Sequence, residues 1–127
     1  MTQAEGQSEI VEAIYEYRFA FVEDLIKMGA KIELFNPVVP NPDEIYNFSL
    51  EDDKPEYFHA AKVTGSTVLQ GMEMEIPDLR AGASLILASL IARGKSELTG
   101  IEHVDRGYEN LDGRLRLLGA DIKRVNF

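Results

Sequence analysis

The sequence predicts a mixed α/β (α+β) fold of repeated β/α units, with residues 1–127 forming a single domain. Stretches with strand alternation and stretches with helical spacing follow one another along the chain. Residues 25–32 and 115–122, about 90 residues apart, share the pattern of a helix end, a glycine and a strand. The apolar stretch 79–92 carries small residues between its leucines and isoleucines, which is typical of a helix buried on all sides.

The N-terminal third is expected to form a strand, a helix and a second strand. Residues 8–17 are rich in β-branched and aromatic side chains among acids, which favours a strand. Apolar residues at helical spacing predict a helix over 18–28. Gly29 is placed to end this helix, and residues 30–35 return to alternation.

An irregular acidic insertion is expected at about residues 36–62, between two strands. Four prolines in this stretch remove backbone donors, and the acids between Asp43 and Glu56 keep it in water. The charge therefore indicates a solvated loop more than an acidic surface over the whole protein.

The remaining elements alternate in the same way towards the C-terminus. Asp78 is a favoured residue before a helix, because its carboxylate accepts a free amide of the first turn. Gly94 and Gly119 stand where two helices are expected to end. The elements expected are strands at 63–70, 72–76, 95–101 and 120–125 and helices at 79–92 and 109–118.

Composition excludes several classes of function. The net charge of −9 argues against a nucleic-acid partner, which would need a basic face. The chain has no cysteine, and His59 and His103 lie too far apart for a metal-ligand pattern, so no metal site is expected. No apolar stretch is long enough to cross a bilayer and nothing resembles a signal peptide, so no membrane partner and a cytoplasmic location are expected.

Arg80 stands just inside the start of the apolar helix. Free amides and the helix dipole attract anions there, and a guanidinium beside them would bind phosphate or carboxylate in a bidentate manner. The alternative is that Arg80 pairs with Asp78 or another acid and only anchors the helix.

Arg106 lies between a strand and a helix, beside Gly107, where functional side chains are often presented. The alternative is a surface pair of Asp105 with Arg106. Arg18 has the same placement between a strand and a helix, with a similar alternative. His103 is more readily explained as a packed or hydrogen-bonded histidine than as a proton carrier.

Five motifs are similar to those of a known family. They are Thr2–Gly6, Arg18–Phe19, Asp78–Leu85, His103–Leu111 and Leu117–Ile122. Together they resemble the C-terminal region of the UDP-N-acetylglucosamine 1-carboxyvinyltransferase family of enolpyruvyl transferases. The resemblance spans nearly the whole chain and fades over residues 36–57. It is weaker to the shikimate-pathway enolpyruvyl transferases, which carry a different arginine-bearing motif at this position.

This resemblance implies a transferase that moves enolpyruvate from phosphoenolpyruvate to the 3-hydroxyl of UDP-N-acetylglucosamine in peptidoglycan precursor synthesis, without cofactors. It also implies the family's inside-out fold, in which β/α units place helices inside and sheets outside. The chain would form an incomplete domain of that fold, and the remaining enzyme domains would be its partners.

The resemblance also implies roles for individual residues. Arg80 and Arg106 would face the phosphoenolpyruvate anion as catalytic residues, and Asp78 would hold the start of the helix. Ile14 matches a family position that contacts the UDP-sugar. Arg18 would support the same site, although Tyr17 replaces the asparagine that the family usually carries before this arginine.

The family's acid-bearing loop, its lysine–asparagine pair and the aspartate that acts on the sugar hydroxyl match nothing in this chain. The chain is therefore expected to be a piece of a longer enzyme or of a split reading frame, inactive alone and prone to self-associate. The alternative is a non-catalytic β/α binding or assembly module that kept the fold.

Overall fold

The computed structural model describes residues 1–126, and its contacts divide the chain into two compact units. Unit 1 is Met1–Val68 and unit 2 is Leu69–Phe127. No helix within the described residues is long and apolar enough to span a membrane.

Unit 1 is built on a three-stranded sheet in the order β1-β3-β2. Both outer strands run antiparallel to β3, so β1 and β2 point in the same direction. A parallel pair joined through a helix, with a third strand between, is a split β-α-β arrangement. The elements are β1 (Gly6–Val11), α1 (Val22–Lys27), β2 (Lys31–Phe35), α2 (Pro42–Ile45) and β3 (Ala60–Gly65).

The first strand and the first helix are both shorter than predicted. The strand expected over 8–17 ends at Val11, because the Glu12 carboxylate accepts the amides of Ile14 and Tyr15 and turns the chain. The helix expected over 18–28 begins only at Val22. The residues between them form a connection of turns.

The acidic insertion is anchored by a buried histidine. His59 is 4% exposed, and its Nε2 lies 2.9 and 3.0 Å from the two carboxylate oxygens of Asp53. The His59 ring stacks on Phe48, with 4.8 Å between ring centroids, and lies 5.0 Å from the ring of Tyr46. Between β2 and β3 the chain is largely irregular apart from the short helix α2, and β3 begins at Ala60, earlier than expected.

Unit 2 contains a parallel β-α-β arrangement. Strands β4 and β5 pair in parallel, and α3 connects them. The short helix α4 was not predicted, since the sequence reads as a loop there. The elements are β4 (Glu73–Glu75), α3 (Leu79–Ile91), β5 (Glu97–Thr99), α4 (Glu102–Asp105) and α5 (Leu111–Leu117).

The core of unit 2 forms where α3 approaches α4. Ile76, Ile86 and Val104 are buried together. A Cβ at Gly82 would lie 2.5 Å from the Val104 side chain, so only glycine permits this approach. The prediction that α3 is buried on all sides is wrong, because Leu87 is 57% exposed on the face opposite this core.

The two glycine-terminated helices are confirmed as a structural echo. Gly29 and Gly119 have φ of +107° and +94°. The next amide, of Ala30 or Ala120, bonds to a carbonyl five residues back in both cases, which is the Schellman ending. The strand predicted over 120–125 is wrong, since these residues pair with no other strand among the described residues.

Candidate functional site

Arg80 lies in the first turn of α3, and Asp78 shapes its surroundings. The Asp78 Oδ1 accepts hydrogen bonds from the amides of Arg80 at 2.8 Å and Ala81 at 3.0 Å. The same oxygen lies 3.8 Å from the Arg80 Nε, and the Arg80 side chain is 52% exposed.

The pairing of Asp78 with Arg80, the alternative raised by the sequence, therefore exists, but at a distance typical of a weak surface contact. The Asp78 carboxylate also occupies two of the amides that were expected to attract an anion. The exposed guanidinium is thus the group at this helix start best placed to bind a ligand.

Arg106 ends helix α4 and is exposed. Its expected surface pair with Asp105 does not form. Arg124 instead donates to both Asp105 carboxylate oxygens, at 2.8 and 2.9 Å. Within residues 1–126, no carboxylate lies within ion-pair distance of Arg106.

Arg80 and Arg106 belong to neighbouring backbone segments at one edge of the small sheet. Arg80 follows the carboxyl end of β4, and Arg106 follows the carboxyl end of β5. Ligands of parallel β/α arrangements bind at this edge. Leu79 packs against Gly107, where a Cβ would lie 2.5 Å from the leucine Cδ2. Gly107 lies in a turn, as expected, but its φ is one that other residues also adopt, so its lack of a side chain serves the close approach of Leu79.

Arg124 is a residue that sequence reasoning missed. Besides Asp105, it donates to the Asp112 Oδ1 at 2.8 Å. The hydrogen bond from Arg124 lowers the pKa of Asp105, and the same bond is the largest cause of the raised pKa of Arg124. No spacing rule connects Arg124 with carboxylates in two different helices, so no pattern in the sequence predicts this contact.

Ile14 and Arg18 lie in unit 1, in the connection that follows β1. The Glu12 Oε1 accepts the Ile14 amide at 2.7 Å and the Tyr15 amide at 3.2 Å. The Glu12 Oε2 lies 3.7 Å from the Arg18 Nε. The Arg18 guanidinium carbon lies 4.6 Å from the centre of the Tyr15 ring.

Glu12 is thus a second residue that sequence reasoning missed. Its carboxylate organises the backbone that presents Ile14, whose side chain is 54% exposed, and it also restrains Arg18. A glutamate two positions before Ile14 was the available signal, but side-chain capture of backbone amides is best known for shorter residues.

The chemistry available to unit 2 is recognition of an anion. Two exposed guanidiniums at one sheet edge offer planar pairs of donors to phosphate or carboxylate. Unit 1 presents an exposed apolar residue on an ordered turn, which is suited to contact with a larger ligand. Neither of the open depressions found on the two sheets includes Ile14, Arg18, Asp78, Arg80 or Arg106.

Sequence comparison places these residues in a known family. The EPSP synthase (3-phosphoshikimate 1-carboxyvinyltransferase) family pattern matches residues 1–115. The chain belongs to the EPSP synthase family. Members of this family are enolpyruvyl (carboxyvinyl) transferases, so the sequence-based recognition of that chemistry is confirmed.

Relatives within the EPSP synthase family carry a more specific name. A UDP-N-acetylglucosamine 1-carboxyvinyltransferase from Prosthecochloris aestuarii is 39% identical over the whole chain, which covers 25% of that relative. The protein of the same name from Protochlamydia amoebophila is 38% identical over 98% of the chain and 26% of its own length. The chain thus spans about a quarter of the length of these curated relatives.

The fold of this EPSP synthase family chain is also matched by a solved structure. The enolpyruvyl transferase NikO from Streptomyces tendae superposes with a TM-score of 0.71 at 30% identity. The match covers 98% of this chain and 24% of NikO. The prediction of an incomplete enolpyruvyl-transferase domain with mixed helices and strands is confirmed.

Proposed function

We propose that this chain forms the anion-binding part of a UDP-N-acetylglucosamine enolpyruvyl transferase, acting in the cytoplasm in peptidoglycan precursor synthesis. The observation that carries the proposal is the placement of Arg80 and Arg106 after adjacent parallel strands, with Leu79 packed on Gly107. The 39% identity with a UDP-N-acetylglucosamine 1-carboxyvinyltransferase over the whole chain supports the choice of substrates.

In the proposed reaction, the sugar 3-hydroxyl gives its proton to a base as its oxygen bonds to C2 of phosphoenolpyruvate, while C3 takes a proton from an acid and the double bond between C2 and C3 becomes single. The acid and the base belong to the remaining enzyme domains. The tetrahedral intermediate then loses a proton from C3, the double bond forms again, the bond from C2 to the phosphate oxygen breaks, and phosphate leaves. Arg80 and Arg106 bind the phosphate and carboxylate groups and stabilise charge that develops on them. The reaction proposed needs no cofactor.

Unit 1 contributes to the sugar substrate in this proposal. Ile14 contacts the UDP-sugar, and Arg18 supports the turn that carries Ile14 through Glu12 and Tyr15. Asp78 holds the start of α3, so that Arg80 leaves the helix in a fixed direction. The remaining enzyme domains complete the site in the longer protein.

A segment exchange tests the proposal directly. Residues 1–127 replace the matched quarter of the Prosthecochloris aestuarii relative, and phosphate release is measured with both substrates. We expect turnover from the exchanged enzyme and none from the relative lacking the segment. The 127-residue chain alone should show no turnover, because the family's acid and base match nothing in it and general acid–base help is worth about 10² to 10⁴ in rate.

Two results would contradict the proposal. One is an exchanged enzyme that folds, by circular dichroism, and binds UDP-N-acetylglucosamine but releases no phosphate, which would favour a non-catalytic binding or assembly module. The other is robust turnover by the 127-residue chain alone that Arg106→Ala abolishes, which would show that this piece suffices.

A further inference from the structure

The connection that carries Arg106 is held at both of its ends by one side chain. Residues 106–110 join α4 to α5. Arg124 bonds to Asp105, the last residue of α4, and to Asp112, in the first turn of α5. Arg124 therefore bonds to one residue on each side of the connection. These contacts with Asp105 and Asp112 are called the bracket below.

The geometry of this bracket is that of a strong interaction. Arg124 makes three hydrogen bonds of 2.8 to 2.9 Å to two carboxylates. The Asp112 side chain is only 12% exposed, so this part of the bracket lies largely away from solvent. Charge-assisted, bidentate contacts of this length are among the stronger hydrogen bonds in proteins and fix orientation as well as distance.

The bracket also changes the charge beside Arg106. An unpaired Asp105 carboxylate would stand next to the guanidinium and repel an approaching anion. Pairing with Arg124 neutralises that carboxylate, and it leaves Arg106 without a carboxylate partner among the described residues. Arg124, in a stretch expected to be a strand, thus removes a negative charge from beside Arg106.

We propose that Arg124 is a positioning residue for Arg106: it fixes both ends of residues 106–110 and neutralises Asp105, so that Arg106 is presented to an anion. The inference rests on the proposed function for the identity of that anion, phosphoenolpyruvate. The planar fork of arginine is needed, since a lysine at this position offers a single point of charge and cannot hold two carboxylates in fixed geometry.

Amide hydrogen exchange in the 127-residue chain tests the bracket without reference to activity. In Arg124→Ala, we expect the amides of Gly107 and Tyr108, which donate to the Val104 carbonyl at 3.1 and 2.9 Å, to exchange about tenfold faster, while those of β1 and β3 are unchanged, because local opening becomes easier. Arg116→Ala is the matched control. It removes a surface pair with the same Asp112, at 3.3 Å, and should leave the connection as it is.

Kinetics of the exchanged enzyme test the consequence for the substrate. We expect Arg124→Ala to raise the KM for phosphoenolpyruvate about tenfold and to leave the KM for the UDP-sugar unchanged, in keeping with the loss of one charge-assisted contact. Arg124→Lys should recover part of the effect. Asp105→Asn combined with Arg124→Ala should recover part of the KM, because the unpaired carboxylate is gone, but should keep the fast exchange.

The outcomes separate this inference from the proposed function. Equal exchange of the Gly107 and Tyr108 amides in Arg124→Ala and wild type would overturn the inference, as would a common rise in both KM values, which indicates general destabilisation. If Arg124→Ala does not fold, Asp105→Asn alone removes half of the bracket and must still speed exchange. A different result would instead overturn the proposed function: Arg124→Ala speeds amide hydrogen exchange, but Arg106→Ala leaves the activity of the segment-exchanged enzyme unchanged.

Discussion

The two units differ in how their arginines are held. In unit 1, Arg18 lies between the Glu12 carboxylate and the Tyr15 ring, and its Nε is buried without a hydrogen-bond partner among the described residues. In unit 2, Arg80 and Arg106 are exposed at a sheet edge. The difference supports the proposal that Arg18 maintains the shape of a turn whereas Arg80 and Arg106 meet a ligand.

The apolar side chains of the two units are also arranged differently. Three aromatic residues of the acidic insertion pack on rings of unit 1, where Tyr46 and Phe48 lie against His59 and Tyr57 lies 4.7 Å from Tyr17. Both units expose apolar side chains elsewhere, but in unit 2 the exposed Leu87 and Ile91 stand four residues apart on one helix, α3.

The largest effect is expected from removing the exposed arginines. In the exchanged enzyme, Arg80→Ala and Arg106→Ala should each lower kcat/KM at least about tenfold, because each removes a charge-assisted contact worth about 1.5–3 kcal/mol. The control is Arg93→Ala, beyond the opposite end of α3. Normal kcat/KM in either site variant would show that its arginine does not bind the anion, and the contrast between the units would then lose its functional meaning.

A smaller and different effect is expected in unit 1. Glu12→Ala leaves the Ile14 and Tyr15 amides without their acceptor, and because both bonds are exposed the loss of stability is about 0.5–1.5 kcal/mol for a bond. We expect weaker binding of UDP-N-acetylglucosamine, by isothermal titration, with an unchanged KM for phosphoenolpyruvate. Glu9→Ala, on the exposed side of β1, is the control. Loss of phosphoenolpyruvate binding instead would mean that the two units do not divide the substrates in this way.

The exposed face of α3 predicts self-association of the 127-residue chain. Contiguous apolar surface drives association, and a second copy of the chain is the partner expected to cover Leu87 and Ile91. Light scattering after gel filtration should therefore show a dimer at micromolar concentration, and Leu87→Glu should shift it towards monomer. Val38→Glu, at an apolar position that is fully exposed, should not change the association state. A clean monomer that binds no hydrophobic dye would be inconsistent with this prediction.

The smallest effect concerns pH. Arg124 lowers the pKa of Asp105, so the folded state favours the ionised carboxylate. That stability is present above the ordinary aspartate pKa of about 3.9 and is lost as pH falls through the lower folded value. Thermal unfolding should therefore separate wild type from Arg124→Ala at pH 7, and the difference should shrink as the pH falls below the ordinary aspartate pKa. A difference that persists at pH 2 would place the role of Arg124 in packing.

Local features of the fold were predictable because local bonds create them. Asp78 caps α3 as predicted, and Gly29 and Gly119 end helices at the positions where glycine can adopt positive φ. Each of these interactions joins residues that are close in the sequence, so a short stretch of sequence is enough to predict it. The bounds of α3 were accordingly predicted to within one residue at each end.

The features that were missed depend on contacts between distant residues or on unusual side-chain roles. Residues 120–125 alternate like a strand, but within residues 1–126 no strand lies beside them, and Arg124 binds two helices instead. The first strand stops at Val11 because the Glu12 side chain captures amides that a ladder would have used. Periodicity reports which face is apolar and cannot report which partner is present.

The two ends of the acidic insertion are held together by direct contacts. Phe35 and Ala60 are directly paired across β2 and β3, and the Asn36 side chain accepts the His59 amide at 3.0 Å just beyond that pair. Everything between is, in topological terms, the tip of one hairpin. The pairing of Phe35 with Ala60 does not depend on how many residues lie between them. A reporter peptide or a short turn could therefore be inserted within residues 37–58 without shifting the register of the sheet.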